Sequence, residues 1–153
     1  MNLRPAAIRA MGRSHRVIYR LTRGRLLGRV AGMPVLLLTT TGRRSGRPRT
    51  TPLTYFESGS DLVIVASNGG EDRPPAWWLN LRDDPRAMVT IRTQTEQVTA
   101  RAANDDEYAS LWPTITSTHP GYAAYARRTT RPIPVMLLSG RGGLETKENA
   151  PGR

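Results

Sequence analysis

The hydrophobic positions of this chain change period several times, and each change marks an element. Ile8, Met11, His15, Ile18 and Leu21 fall at helical spacing with Val17 beside them, and Arg9, Arg13, Arg16, Arg20 and Arg23 fill most of the remainder. This predicts one or two basic amphipathic helices over residues 5–30, with Gly24, Gly28 and Gly32 blurring the far end. The period then collapses. Val35-Leu36-Leu37-Leu38 are consecutive, which predicts a strand over Pro34–Thr41 buried on both faces. Extended structure resumes over Arg49–Glu57, where Pro52 removes a ladder donor and points to a sheet edge or a bulge. Glu57-Ser58-Gly59-Ser60-Asp61 reads as a hairpin turn into a third strand, Leu62–Ala66, which ends in Ser67-Asn68-Gly69-Gly70.

The second half begins with a helix. Proline is tolerated in a first turn, so Arg73-Pro74-Pro75 can open a helix over Pro75–Arg82 carrying Trp77, Trp78 and Leu81, which Asp83-Asp84-Pro85 closes. Ala87–Arg92 and Gln97–Ala102 read as two strands joined across Thr93–Glu96. Asn104 followed by Glu107 resembles a capping box, opening a helix through Tyr108, Leu111 and Trp112 that Pro113 should interrupt. Pro120–Arg128 is a short helix with Tyr122 and Tyr125 on one face, Ile133–Ser139 the last strand, and Gly140–Arg153 a frayed tail. About six strands in mainly neighbouring pairs, without βαβ alternation, predict an α+β fold. The architecture expected is a small, mostly antiparallel barrel with inserted helices behind a basic N-terminal helix. The organisation expected is one domain over residues 1–153, with an N-terminal helical segment (1–33), a core (34–140) and a tail (141–153).

Charge sharpens this picture. The first 56 residues hold 12 arginines and no acidic residue, whereas the rest of the chain holds 11 basic and 12 acidic residues, so the net +11 resides in the N-terminal third. Such asymmetry points to an anionic partner: a phosphate ligand, nucleic acid or an anionic membrane. With no cysteine and only His15 and His119 as histidines, thiolate chemistry is excluded, and a metal centre or a hydrolase triad lacks its residues. No apolar run approaches the length of a membrane span, and no h-region makes the N-terminus a signal peptide. A cytoplasmic protein is expected, with the basic N-terminal helix able to lie on the inner face of an anionic membrane.

The strongest local signal is Gly42-Arg43-Arg44-Ser45-Gly46-Arg47-Pro48-Arg49, four arginines on a glycine-flanked loop between two strands. Glycines allow turns in which backbone amides converge on an anion, and arginine adds bidentate bonds to phosphate or carboxylate oxygens. A solvated hairpin loop is the plainer reading. Gly46-Arg47-Pro48 also matches the centre of an AT-hook, but such hooks sit in tails rather than between core strands. Trp77 and Trp78 offer a wall for a flat ring or core mass, and Tyr122 and Tyr125 offer stacking or a proton.

Together these pieces resemble the actinobacterial deazaflavin-dependent nitroreductase family, split-barrel flavin and deazaflavin oxidoreductases. The carrying residues are Leu38–Gly46 with Pro48-Arg49 and Pro52-Leu53; Val63–Ser67 with Gly69-Gly70; Trp77–Leu81 and Pro85; and Tyr122 and Tyr125 ahead of Arg131–Val135. The resemblance implies that Arg43, Arg44, Ser45 and Arg49 hold the phosphate and acidic tail of coenzyme F420. Thr50, Thr51, Pro52, Leu53 and Thr54 would line its ring and side chain, together with Val65, Ala66, Ser67 and Asn68 and with Ala76, Trp77, Trp78, Leu79 and Asn80. Tyr122, Tyr125 and Ser67 would face the acceptor, a quinone or another conjugated electron-poor compound such as a nitro compound. Thr54 stands where an aromatic is common in that family, and Arg128 where a third tyrosine can occur. The alternatives are an FMN-binding split-barrel reductase and a non-enzymatic basic protein binding DNA or a membrane surface. No nucleic-acid module is recognisable, which places nucleic acid low among the partners, and monomer and dimer both stay open.

Overall fold

A computed structural model describes residues 29–30 and 32–140. The expected N-terminal helix, apart from its last residues, and the tail beyond Gly140 lie outside the described residues. The element order is β1 (Arg29–Val30), β2 (Met33–Thr41), β3 (Pro48–Thr54), β4 (Phe56–Ser58), β5 (Asp61–Val65), a 3-10 turn (Asn68–Gly70), α1 (Ala76–Asp83), β6 (Arg86–Ile91), β7 (Gln94–Ala102), α2 (Asp105–Thr118), α3 (Gly121–Arg128) and β8 (Val135–Gly140). All ladders are antiparallel, in the order β1-β2-β6-β7-β8-β5-β4, with β3 on the other edge of β2.

Residues 48–58 close the barrel. Their first half pairs with β2 (Leu37 opposite Pro52, Thr40 opposite Arg49) and their second half with β5 (Phe56 opposite Val63). The two ends of the ladder are therefore one stretch of chain, bent at Tyr55, whose amide donates to the Pro34 carbonyl at 3.2 Å. This stretch links the two ends of the curled sheet, although β3 pairs only with β2 and β4 only with β5, so each keeps one edge without a strand partner among the described residues. The expected strand Arg49–Glu57 is thus real but broken at this corner, and Pro52 does lie on an edge strand, where its missing N–H costs no ladder bond.

Alternation divides most of the apolar residues between two cores, with Val35 and Leu37 of β2 forming a third, smaller cluster. Leu36, Leu38, Ile64, Ala87, Val89, Val98, Ala100, Met136 and Leu138 fill the barrel, joined by Trp77 and Leu81 from α1. Val63, Val65, Val135 and Leu137 face outward beneath Ile115 of α2 and Tyr122 of α3. Strands β2 and β8 are buried on both faces, which is why their apolar residues run consecutively.

Several expectations need correction. Arg29–Val30, placed at the end of a helix by the sequence, instead pair with Pro34 and Met33 across a turn in which Gly32 has φ 79°. The β6–β7 connection is the two-residue turn Arg92-Thr93 rather than Thr93–Glu96, because the strand begins at Gln94 with four exposed polar residues that carry no apolar signal. Pro113 does not interrupt α2. Ala109, whose carbonyl loses its partner, is exposed and can be solvated. The capping box of Asn104 and Glu107, with Asp105 and Asp106 in the first turn, favours the helix from its start.

Candidate functional site

The arginine loop is built from the backbone outward. The Gly42 amide donates to the Arg47 carbonyl at 2.8 Å and the Gly46 amide to the Gly42 carbonyl at 2.8 Å, while the Arg47 amide donates to Ser45 Oγ at 3.2 Å. Gly46 takes φ 67°. A Cβ on Gly42 would meet Ser45 Oγ at 2.8 Å and the Arg47 carbonyl at 3.1 Å, so a larger residue there would have to displace the Ser45 side chain and push on the turn's backbone. The turn leaves Arg44, Arg47 and Arg49 exposed and Arg43 half-buried. Among the described residues no carboxylate pairs with any of the four.

Asn80 ties this loop to the barrel. Its side chain is buried (4% exposed) on α1, where Oδ1 accepts from the Arg43 amide at 3.1 Å and Nδ2 donates to Thr40 Oγ1 at 3.0 Å. Sequence reasoning placed Asn80 among ligand-lining residues. Both ends of its side-chain amide meet protein partners, which ties the loop to α1 and β2. Of its neighbours, Trp77 fills the barrel core, whereas Trp78 is half-buried with the Arg82 guanidinium 4.8 Å over its ring. Trp78 nevertheless packs against the same barrel core, so the reading of both tryptophans as core mass fits, with Trp77 the deeper of the two. Ala76 is exposed and Leu79 half-buried.

From the loop, β3 carries half-buried Thr50, Thr51, Pro52, Leu53 and Thr54 toward α3. Thr50 shares a 2.8 Å hydroxyl bond with Thr39, and Thr54 one of 2.8 Å with the Tyr122 hydroxyl. Thr54 thus tethers Tyr122. That tyrosine is buried (7% exposed) between Phe56, His119 and Tyr125, and burial raises its phenol above the usual range, opposed in part by the Thr54 bond. Tyr125 stands edge-on to it, ring centroids 5.9 Å apart, half-buried, with the Arg128 guanidinium 5.8 Å over its ring.

The Ser67 turn packs against the same helix. Asn68, Gly69 and Gly70 take φ of 46°, 67° and 81° in succession. A Cβ on Gly70 would meet the Tyr125 carbonyl at 2.8 Å and its Cα at 3.0 Å. The side chains of Val65 and Ala66 belong to the two cores, so at these two positions only the backbone is left to face a ligand. The structure therefore joins the arginine loop to α1, β3 to Tyr122, and Tyr125 to the Ser67 turn. Arg131, unassigned by the sequence, clamps that turn from the far side. Its Nη2 donates to the carbonyls of Ala66 and Ser67 at 3.2 and 2.9 Å, and its Nε to that of Glu71 at 2.9 Å. In the sequence Arg131 stands only at the head of the Arg131–Val135 stretch that carries part of the family resemblance, with no role attached to it.

The geometry is that of a split β-barrel with an exposed arginine loop and with tyrosines on an adjoining helix. The family model described as F420H(2)-dependent quinone reductase matches residues 11–140, and the chain belongs to that family. It is 42% identical over 133 residues, 84% of this chain and 89% of the relative, to an F420H(2)-dependent quinone reductase of Mycobacterium tuberculosis. Among solved structures it superposes on an F420-H2 dependent reductase (FDR-A) with TM-score 0.63 at 34% identity, covering 69% of this chain and 94% of that one. It also superposes on a domain-swapped dimer with TM-score 0.66 at 29% identity, covering 86% of this chain and 96% of that one.

Proposed function

We propose that this protein binds reduced coenzyme F420 with the arginine loop at the acidic end of the cofactor, and reduces a quinone beside Tyr125. The observation that carries this reading is the loop itself: four arginines on a turn locked by its own backbone, without a carboxylate partner among the described residues. Arg43, Arg44 and Arg49, with Ser45 and its neighbour Arg47, supply charge-assisted bonds to phosphate and carboxylate oxygens. Asn80 keeps the loop in register with the barrel, so this charge is prepositioned before a ligand arrives.

Half-buried Thr50–Thr54, the backbone of Val65–Asn68 and the outer residues Ala76, Trp78 and Leu79 of α1 suit a flat heteroaromatic ring with polar edges. The cofactor, when bound, supplies the hydride. A quinone that receives a hydride also needs a proton on its oxygen, and the two tyrosines divide that work. Tyr122, buried and bonded to Thr54, fixes the orientation of its neighbour. Tyr125 hydrogen-bonds the acceptor oxygen and passes a proton to it, with Ser67 orienting the other end of the acceptor. The packed aromatic wall of Phe56, Tyr122 and Tyr125 keeps water from that side. A quinone fits better than an anionic acceptor, because the anion-binding arginines are tied up with the cofactor. Reduction of nitro compounds is a separate property of the acceptor pocket.

Titration of the purified protein with oxidised F420 and with FMN tests the cofactor assignment. F420 should bind in the micromolar range or tighter. Alanine at Arg43 or Arg49 should weaken binding about tenfold or more at low salt, as expected for loss of a charge-assisted bond, and less at high salt. Preference for FMN, or affinities unchanged by both substitutions, would overturn it.

A further inference from the structure

Arg131 is chemically unusual here. A guanidinium carries five N–H donors, and four of them meet backbone carbonyls: Nε that of Glu71, Nη1 that of Pro132, and Nη2 those of Ala66 and Ser67. No carboxylate pairs with it among the described residues. Its acceptors bracket the turn in which Asn68, Gly69 and Gly70 all take positive φ, where only two internal amide bonds, Gly70 to Ser67 and Glu71 to Asn68, hold the backbone and the carbonyls of Ala66 and Glu71 take their side-chain donor from Arg131. The same connector supplies further ties. Thr129 Oγ1 donates to Asp72 Oδ1 at 2.8 Å and accepts from the Arg131 amide at 3.2 Å, and the Ala66 amide donates to the Pro134 carbonyl at 2.9 Å. On its other side the turn lies against the Tyr125 backbone, too close for any Cβ at Gly70.

We propose that Arg131 is a positioning residue for hydride transfer: it clamps the Ala66–Glu71 turn and so sets the spacing between the ring wall and Tyr125. The assignment rests on the reading of Ala66–Asn68 as a ring wall and Tyr125 as the acceptor group. The clamp needs arginine. The planar fork reaches three carbonyls of one turn at once, whereas a lysine ammonium keeps the charge but cannot match that geometry. Arg131 touches neither reacting partner; it acts through the turn.

The test compares Arg131→Ala and Arg131→Lys with the parent protein in two ways. In the cofactor-free protein, hydrogen exchange of the Gly70 and Glu71 amides, which close the turn onto the Ser67 and Asn68 carbonyls, should quicken about tenfold or more in Arg131→Ala, with other barrel amides unchanged. In the F420-loaded protein, kcat with a soluble quinone should fall about 100-fold, the scale of an ångström-sized misplacement. The F420 dissociation constant should stay within a small factor of the parent value, and Arg131→Lys should recover little of kcat. Unchanged exchange at Gly70 and Glu71 overturns the clamp. Weakened F420 binding with kcat preserved at saturation overturns the positioning role and makes Arg131 a binding residue. Should Arg131→Ala not fold, Arg131→Lys carries the same comparison. A parent protein that binds no F420 removes the functional reading and this role with it, while the exchange result still reports whether the clamp exists.

Discussion

Replacement of Asn80 by alanine is the sharpest probe of how the loop is held. Two bonds disappear, from the Arg43 amide and to Thr40 Oγ1. The Thr40 hydroxyl is 2% exposed, so it is left buried without its partner, a loss of about 1–3 kcal/mol. The Arg43 amide sits on an accessible loop and can turn to water, adding only about 0.5–1 kcal/mol. The sum is about 1.5–4 kcal/mol, which for a domain of this size lowers Tm by about 5–15 °C. Thr40→Val supplies the control, because removing both polar partners leaves no orphan. The double variant should therefore be more stable than the two single losses imply, by about 1 kcal/mol or more. Thermal and denaturant unfolding of the three variants measure this. A Tm for Asn80→Ala close to that of the parent, or strictly additive losses, would show that the pair is not the strut described. F420 affinity should fall in Asn80→Ala although every arginine is retained.

Three other outcomes follow from the geometry. Gly70→Ala combines a left-handed φ of 81° with a 2.8 Å approach to the Tyr125 carbonyl, so it should lose more than the about 1–2 kcal/mol of the backbone conformation alone; a neutral effect in urea titration would contradict the packing of α3 on the turn. Glu107 is held at about 2, below its ordinary 4.5, chiefly by hydrogen bonds from Arg101 and secondarily by the Asn104 amide. Because its folded value is depressed, the advantage over Glu107→Gln should be full above about pH 4.5 and fade as pH falls toward about 2; a gap that does not change across that window would refute the assignment. Tyr122→Phe keeps the ring packing but deletes the 2.8 Å bond to Thr54, so about 1 kcal/mol should be lost, and adding Thr54→Val should lose little more.

The elements legible in the sequence were those with an unambiguous apolar period or a cap. Consecutive Val35–Leu38 announced a strand covered on both faces, Ile133–Ser139 read as the last strand, and Asn104 with Glu107 announced a helix start that the structure reproduces bond for bond. Closure of the barrel was not legible, because Tyr55 gives no local sign that the strand changes partners there. The polar start of β7 was hidden for the opposite reason: an exposed strand face has no hydrophobic alternation to read. At the site, charge asymmetry located the arginine loop, since charge is a property of composition. The parts played by Asn80 and Arg131 are properties of tertiary placement, with bonds spanning 37 and more than 60 residues, and no spacing encodes them.

The central claim is that this barrel passes a hydride from reduced coenzyme F420 to a quinone. Anaerobic mixing of the purified protein with reduced F420 and a soluble naphthoquinone, followed by the return of oxidised F420 absorbance, tests it directly. Saturable, protein-dependent oxidation is expected, with one quinone reduced per cofactor and a marked loss of kcat in Tyr125→Phe. Oxidation no faster than in buffer across a series of quinones, with F420 bound, would contradict it.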